Sequence, residues 1–142
     1  MNFKEKVVLK FDEINRYLAE LEDILPETEK EYKLNLTERR ACEKTIELAI
    51  EGVMSIMAMV VSHLNLGVPK DEDDIITILA KSKVLSVLLV AKIREMKGFR
   101  NIMVHKYGEI DDGKAYFSLQ EELEDFAEFE KEVKKYLRQI AD

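Results

Sequence analysis

The stretch from Ile46 to Val61 constrains the fold most, because it is apolar on nearly every side when drawn as a helix. It is the later half of a longer helical segment that runs to about Leu64, with Thr37 as the candidate N-cap. Gly67 and Pro69 supply the stop signal. A helix that is apolar all round usually lies at the centre of a bundle. We therefore expect this segment to be the core helix of an all-α protein.

Amphipathic segments before and after this helix predict its neighbours. Apolar residues recur at spacings of three and four from Phe3 to Leu25, and Pro26 ends or kinks that stripe. The highly charged stretch 27–36 either extends this first helix or forms a connector. A further amphipathic helix is expected over Leu79–Met96.

The C-terminal part of the chain completes the predicted architecture. Gly98 is expected to end the preceding helix before a short segment from Phe99 to Tyr107. Residues 108–113 are predicted to form a loop and a turn. Ser118 and Glu121 match a capping box, which would open the last helix. Five helical segments with short links indicate an antiparallel bundle. With 142 residues, 5 Gly and 2 Pro, the chain suits one all-α domain that spans residues 1–142.

The sparse cysteine and histidine content excludes several classes of protein. Cys42 is the only cysteine, so there is no internal disulfide, and no Cys/His cluster has zinc-site spacing. The acidic run Asp71–Asp74 lacks the central glycine and terminal glutamate of a calcium loop, so we expect it to open a helix and to bind no metal. No leader-like apolar stretch follows Met1, and none is long enough to span a bilayer. The sequence predicts a cytoplasmic protein with no membrane contact.

Charge is distributed unevenly along the chain. The net charge of −7 argues against a general nucleic-acid binder. Residues 81–107, however, carry seven basic side chains and one acidic side chain, a net of +6 that leaves −13 elsewhere. Such a segment can attract an anionic ligand locally, or its lysines can simply solvate exposed helix faces. Glu43, Glu47 and Glu51 share one helix face, and we expect them to face water rather than a basic neighbouring helix.

The segment from Gly98 to Tyr107 concentrates the residues that can carry chemistry. Arg100 keeps its proton and can hold a phosphate through a two-pronged hydrogen bond. His105 can take or give a proton near neutral pH. Together they suit transesterification of RNA, in which a base removes the 2′-OH proton and a cation stabilises the charged transition state. This chemistry needs no metal, and we expect no cofactor.

The spacing of this pair limits how it can act. On one continuous helix Arg100 and His105 point about 140° apart, so one helix alone would not aim both groups at one atom. Three arrangements stay open: an irregular helix, an arginine long enough to close the gap, or a two-fold partner that brings a second pair across the interface. In the alternative without catalysis, Arg100 pairs with an acid, His105 is a satisfied bundle residue and Tyr107 caps the core. His63, the other histidine, is expected only to suit the C-terminus of its helix.

Arg100, His105 and Tyr107 match an Arg-x4-His-x-Tyr signature, and the chain thereby resembles the HepT-like HEPN toxins. The resemblance covers nearly the whole chain in size and helical layout. It extends to three further features: Phe99-Arg100-Asn101, Val104-His105-Lys106-Tyr107-Gly108, and Glu38-Arg39 at the opening of a long helix.

The resemblance implies a metal-independent ribonuclease that is the toxin of a type VII toxin–antitoxin pair. It implies a homodimer in which the motifs of two protomers face a shared cleft, with Arg100 and His105 as the catalytic pair. Asn101, Lys97 and Lys106 would then support RNA binding.

The implied partner is a small MntA-like nucleotidyltransferase antitoxin, which transfers AMP groups from ATP to Tyr107. Each group would add bulk and a negative phosphate beside the cationic site and so would block RNA. A second function stays open, that of a non-catalytic helical partner that serves such a nucleotidyltransferase as its substrate or nucleotide-presenting subunit. The His105→Ala variant distinguishes the two functions, because the substitution abolishes RNA cleavage and growth inhibition only if the chain is a toxin.

Overall fold

The computed structural model describes residues 1–105 and 107–140, with Tyr107 described by its backbone alone. The described chain contains six α-helices and no strand: α1 (Phe3–Ile24), α2 (Glu29–Leu34), α3 (Leu36–His63), α4 (Glu72–Lys81), α5 (Val87–His105) and α6 (Asp112–Arg138). A single 3-10 turn, Tyr107–Glu109, lies between α5 and α6. The prediction of an all-α bundle is confirmed, with one short helix more than the five segments expected.

Contacts between residues far apart in sequence show how α1 and α3 are oriented. Phe3, the first residue of α1, stacks on His63, the last residue of α3, with ring centroids 3.9 Å apart. Midway along the pair, the side chain of Ile14 lies against Gly52. Residue numbers therefore rise along one helix as they fall along the other, and the two helices are antiparallel, as predicted. The position of His63 at a helix C-terminus is also as predicted.

The core of the bundle is built around α3, as its apolar composition predicts. It packs against all five of the other helices, and most residues of its later half are buried. By length and composition α3 would also suit a membrane span, but 56% of its most apolar window is buried inside the bundle. No other described helix passes that test. Core helices of bundles commonly have this composition, and α3 is such a helix.

The charged stretch 27–36 neither extends α1 nor forms a plain connector. It contains a helix of its own, α2, which Thr28 caps, and Tyr32 anchors this helix in the core with no exposed surface. Asn35 then caps α3 by accepting a hydrogen bond from an N–H of its first turn. The prediction of Thr37 as the N-cap of this helix was therefore wrong by two residues, since asparagine caps at least as well as threonine.

The prediction of one helix over Leu79–Met96 is wrong, because two helices share this stretch: α4 ends at Lys81 and α5 begins at Val87. Lys83 ends the first helix with a left-handed backbone, φ 59°. Ser86 starts the next one, since its hydroxyl accepts a hydrogen bond at 3.2 Å from an N–H of the first turn. A capping serine and one left-handed residue thus divide a stripe that looks continuous in the sequence.

Gly98 lies inside α5, so the break predicted at this residue is also wrong. Met96 and Met103 are buried on either side of it, which holds this part of the helix in the core. That burial outweighs the cost of a glycine in a helix, about 1 kcal/mol relative to alanine. The candidate catalytic residues therefore lie on the last turns of an unbroken helix.

The start of α6 lies upstream of the capping box predicted at Ser118. Asp111 is the N-cap, with its carboxylate accepting a hydrogen bond at 3.0 Å from an N–H of the first turn. Residues 111–113 are therefore the opening of α6 and not a turn. Tyr116 extends the buried face of the helix in this direction, and its hydroxyl donates a 2.8 Å hydrogen bond to the carbonyl of Pro26.

One acidic residue of α3 is not where the sequence predicts it. Glu43 is only 5% exposed, whereas Glu51 faces solvent as expected. Burial raises the pKa of Glu43, and the guanidinium of Arg40 opposes that rise through a hydrogen bond at 3.1 Å. The spacing of the glutamates identifies a shared face, but the tilt of α3 in the bundle decides which of them is covered.

Candidate active site

The motif residues of α5 lie on one regular helix that ends at His105. The helix is not irregular, so Arg100 and His105 leave its axis in directions about 140° apart. The Arg100 side chain turns toward α4 and is 12% exposed, while His105 is exposed at the helix end. Neither residue hydrogen bonds to the other. Within one chain the arginine therefore does not close the gap to the histidine.

The guanidinium of Arg100 is held by two neighbours. Glu72, at the start of α4, accepts hydrogen bonds from both Nη atoms, one of them at 3.3 Å. Asn101 accepts from Nε at 3.3 Å and from Nη2 at 3.0 Å through its Oδ1 atom. Four hydrogen bonds thus engage a group that has five N–H donors. The pairing of Arg100 with an acid, which the sequence left open as the alternative without catalysis, is therefore present in the fold.

Lys97 lies one helical turn before Arg100 and also faces α4. Its Nζ atom is 2.9 Å from Oδ1 of Asp73, and the same oxygen lies 3.5 Å from Nη1 of Arg94. The hydrogen bond from Lys97 lowers the pKa of the Asp73 carboxyl. The first turn of α4 therefore offsets part of the positive charge on this face of α5.

The remaining candidate residues lie at or beyond the end of α5. The His105 side chain makes no hydrogen bond or ion pair with any residue that the structure describes. Lys106 lies outside the described residues, and so does the side chain of Tyr107, whose backbone begins the 3-10 turn. The structure thus brings Arg100, Asn101 and Lys97 to one face of α5 and leaves His105 on another.

A cavity of about 350 Å³ lies beside Arg100, between α3, α4 and α5. Its lining combines small and apolar side chains of α3 and α4 with charged groups: Glu51, Met54, Ser55, Ala58, Glu72, Ile75 and Arg100. A larger groove of about 660 Å³ lies between α6 and the link from α4 to α5, and it is lined by none of the motif residues. Among the residues that the structure describes, no group of three or more His, Cys, Asp or Glu gathers to hold a metal.

Glu72 is the site residue that sequence reasoning missed. The acidic run at the start of α4 was predicted to open a helix, which the structure confirms with Asp71 as its N-cap. The run also contained the signal for an ion pair with the basic segment that follows. The sequence does not show, however, which of four successive acids faces α5, because that depends on the rotation of α4 about its axis.

Comparison with known proteins gives a consistent result. The chain matches the family described as Ribonuclease HepT-like over residues 14–133. An mRNA nuclease HepT from Shewanella oneidensis is 33% identical over 100 residues, which are 68% of this chain and 65% of that protein, just under two thirds of its length. A tRNA nuclease HepT from Aphanizomenon flos-aquae is 23% identical over 124 residues, with 87% and 84% of the two chains covered.

The fold agrees with this match. The solved structure of a tri-AMPylated HEPN toxin from Shewanella oneidensis, in complex with an MNT antitoxin, superposes with a TM-score of 0.86 at 24% identity. The superposition covers 95% of this chain and 99% of that one. The bundle is therefore an HEPN fold. With its Arg-x4-His-x-Tyr motif at the end of α5, the chain belongs to the ribonuclease HepT-like family.

Proposed function

We propose that residues 1–142 form a single HepT-like domain that acts in the cytoplasm as a metal-independent endoribonuclease, the toxin of a type VII toxin–antitoxin pair. The observation that carries this proposal is the complete motif, which spans the end of α5 and the turn after it, in a chain of the ribonuclease HepT-like family. The names of the two relatives, an mRNA nuclease and a tRNA nuclease, support RNA as the substrate class.

The proposed reaction is an internal transesterification. His105 removes the proton of a ribose 2′-OH, and the oxygen attacks the adjacent phosphorus to form a 2′,3′-cyclic phosphate. The bond to the 5′-oxygen breaks, this oxygen takes a proton from water as it leaves, and His105 returns the proton it removed to solvent. The Arg100 guanidinium stabilises the charge that builds up on the phosphate oxygens. Asn101, Lys97 and Lys106 support the RNA backbone beside this pair.

The divergence of Arg100 and His105 supports a homodimer as the active unit. Two protomers related by a two-fold axis can place the arginine of one opposite the histidine of the other. Ile102 and Val104, on the motif segment of α5, are 39% and 44% exposed. Covering either apolar side chain with a second copy would remove it from water, which favours such a contact. We therefore propose a shared cleft in which two motifs meet.

The proposed partner is an MntA-like nucleotidyltransferase antitoxin. The Tyr107 hydroxyl would attack the α-phosphorus of ATP, pyrophosphate would leave, and AMP would stay on the tyrosine. One solved relative, the tri-AMPylated Shewanella oneidensis toxin in complex with its MNT antitoxin, supports this partner. Tyr107 follows His105 by two residues, so the added phosphate would lie near the RNA site and repel the backbone.

One observation favours a second function. The Arg100 guanidinium is already engaged by Glu72 and Asn101, as expected of a structural arginine. In that case the chain would be a non-catalytic helical partner of the nucleotidyltransferase, serving as its substrate or nucleotide-presenting subunit.

Growth inhibition in a bacterial host separates the two functions. We expect expression of the wild-type chain to arrest growth, and His105→Ala to relieve the arrest while the protein still accumulates in folded form. His63→Ala is the matched control, because it removes the other histidine of the chain at a helix end that lacks the motif. Co-expression of the nucleotidyltransferase should relieve the arrest for the wild type but not for Tyr107→Phe. Equal growth of wild type and His105→Ala would favour the non-catalytic function.

A further inference from the structure

The four consecutive acids at the start of α4 divide into two pairs with different partners. Asp71 caps the helix by accepting a hydrogen bond from the N–H of Asp74 at 2.8 Å. Asp74 accepts a hydrogen bond from the N–H of Lys70 at 2.9 Å. These two carboxylates serve the backbone of their own helix. The other two, Glu72 and Asp73, reach across to α5.

The contacts to α5 follow the antiparallel register of the two helices. Glu72 binds Arg100, and Asp73 binds Lys97 and the more distant Arg94. One short acidic turn thus meets three basic residues on successive turns of α5. An acid in the first turn stabilises a helix through its dipole, but that effect does not require these particular contacts.

The contacts occupy the groups that the proposed reaction would offer to RNA. A phosphate binds arginine through parallel N–H donors, and Glu72 already accepts from both Nη atoms of Arg100. The side chain of Lys97 is only 15% exposed where it meets Asp73. A carboxylate and a phosphate oxygen compete for the same donors, so RNA can bind these groups only by displacing the acids.

We propose that Glu72 and Asp73 are an internal competitor for the RNA backbone, which occupies Arg100 and Lys97 until a phosphate displaces it. This inference rests on the proposed function, and it adds two residues that set the strength and selectivity of RNA binding. Weak or isolated anions do not displace two carboxylates that are tethered beside their partners. A polyanion that contacts several cations at once can do so. The competitor therefore raises the threshold for binding and favours an extended RNA strand over free phosphate.

Binding can be measured separately from cleavage. The probe is a fluorescent single-stranded RNA with 2′-O-methyl groups at every position, which has the phosphates of RNA but lacks the attacking hydroxyl. Its affinity is measured by anisotropy for the wild type, Glu72→Gln and Asp73→Asn. Asp74→Asn is the matched control, because it removes the same charge from the same helical turn but contacts no residue of α5.

We expect Glu72→Gln and Asp73→Asn to bind this RNA about three- to tenfold more tightly than the wild type, and Asp74→Asn to bind within about twofold of it. A double-mutant cycle tests whether the effect passes through the guanidinium. In an Arg100→Gln background the gain from Glu72→Gln should disappear, since there is no longer a cation to release. A general loss of charge repulsion would persist in that background.

Three results would overturn the inference. The first is unchanged or weaker binding by Glu72→Gln and Asp73→Asn, which would make these acids positioning groups. The second is a gain that survives Arg100→Gln or that Asp74→Asn reproduces. The third is no binding by any variant. The proposed function fails in a different assay, if the wild type does not cleave an unmodified RNA. The affinity ratios would then still show whether Glu72 and Asp73 compete with the RNA backbone.

Discussion

Arg100 and His105 leave α5 in directions about 140° apart, because the helix stays regular between them. If both act on one phosphate, they come from different protomers. Mixed dimers test this requirement. We expect Arg100→Gln and His105→Ala homodimers to be inactive. A heterodimer of the two, purified through different tags, should regain about half of the wild-type activity, because one of its two sites keeps both groups.

Catalysis within a single chain predicts the opposite result for the heterodimer. If the arginine and histidine act within one chain, every site in the mixed dimer lacks one group, and cleavage stays at the level of the two homodimers. A dimer formed from wild-type and doubly substituted chains is the control, because it has no complete site under the trans arrangement and one under the cis arrangement.

Two glycines within helices provide a matched test of the packing. A Cβ atom at Gly52 would lie 2.6 Å from Cγ1 of Ile14, so α1 would have to move away from α3. We expect Gly52→Ala to lower the free energy of unfolding by about 1–3 kcal/mol. At Gly98 a Cβ atom would meet nothing within 4 Å, and alanine should raise that free energy by about 0.5–1 kcal/mol. Urea unfolding of the two variants checks both signs, and a stable Gly52→Ala would contradict the close approach of α1 and α3.

Glu122 should make the stability depend on pH. It is 7% exposed, its Oε2 atom has no hydrogen-bond partner in the described part of the chain, and burial raises its pKa to about 8. The folded state therefore keeps a proton that the unfolded state loses near pH 4.3. Its contribution to stability is complete below that pH and is lost as the pH rises toward 8.

We expect Glu122→Gln to unfold at the same or higher urea concentration than the wild type. Its advantage in the free energy of unfolding should grow to about 1–3 kcal/mol at pH 9. Glu124→Gln, on the exposed side of the same helix, is the control and should track the wild type. A wild type whose stability is the same at pH 6 and pH 9 would show that Glu122 ionises normally.

The features predicted well from the sequence are those that depend on composition over many residues. The apolar stretch Ile46–Val61 identified the core helix, and the acidic run Asp71–Asp74 identified the start of α4. Single-residue signals did less well. Gly98 was expected to break a helix that the burial of its neighbours keeps intact, and Asn35 caps α3 in place of Thr37.

The candidate site divides in the same way. The motif could be recognised because Arg100 and His105 are close in sequence. The chemistry of each side chain follows from its residue type and does not depend on the fold. The pairing of Arg100 with Glu72 could not be predicted, because it depends on which helices are neighbours and on their register. That contact is set by the tertiary fold.

The central claim is that this chain cleaves RNA without a metal and uses His105 to do so. Its most direct test is RNA cleavage in EDTA by purified wild-type, His105→Ala and His63→Ala proteins, after intact-mass analysis has shown that Tyr107 carries no AMP. We expect the wild type and His63→Ala to cleave total cellular RNA and to leave 2′,3′-cyclic phosphate ends, and His105→Ala to be inactive although folded. Equal cleavage by His105→Ala, or no cleavage by the unmodified wild-type protein, would contradict the claim.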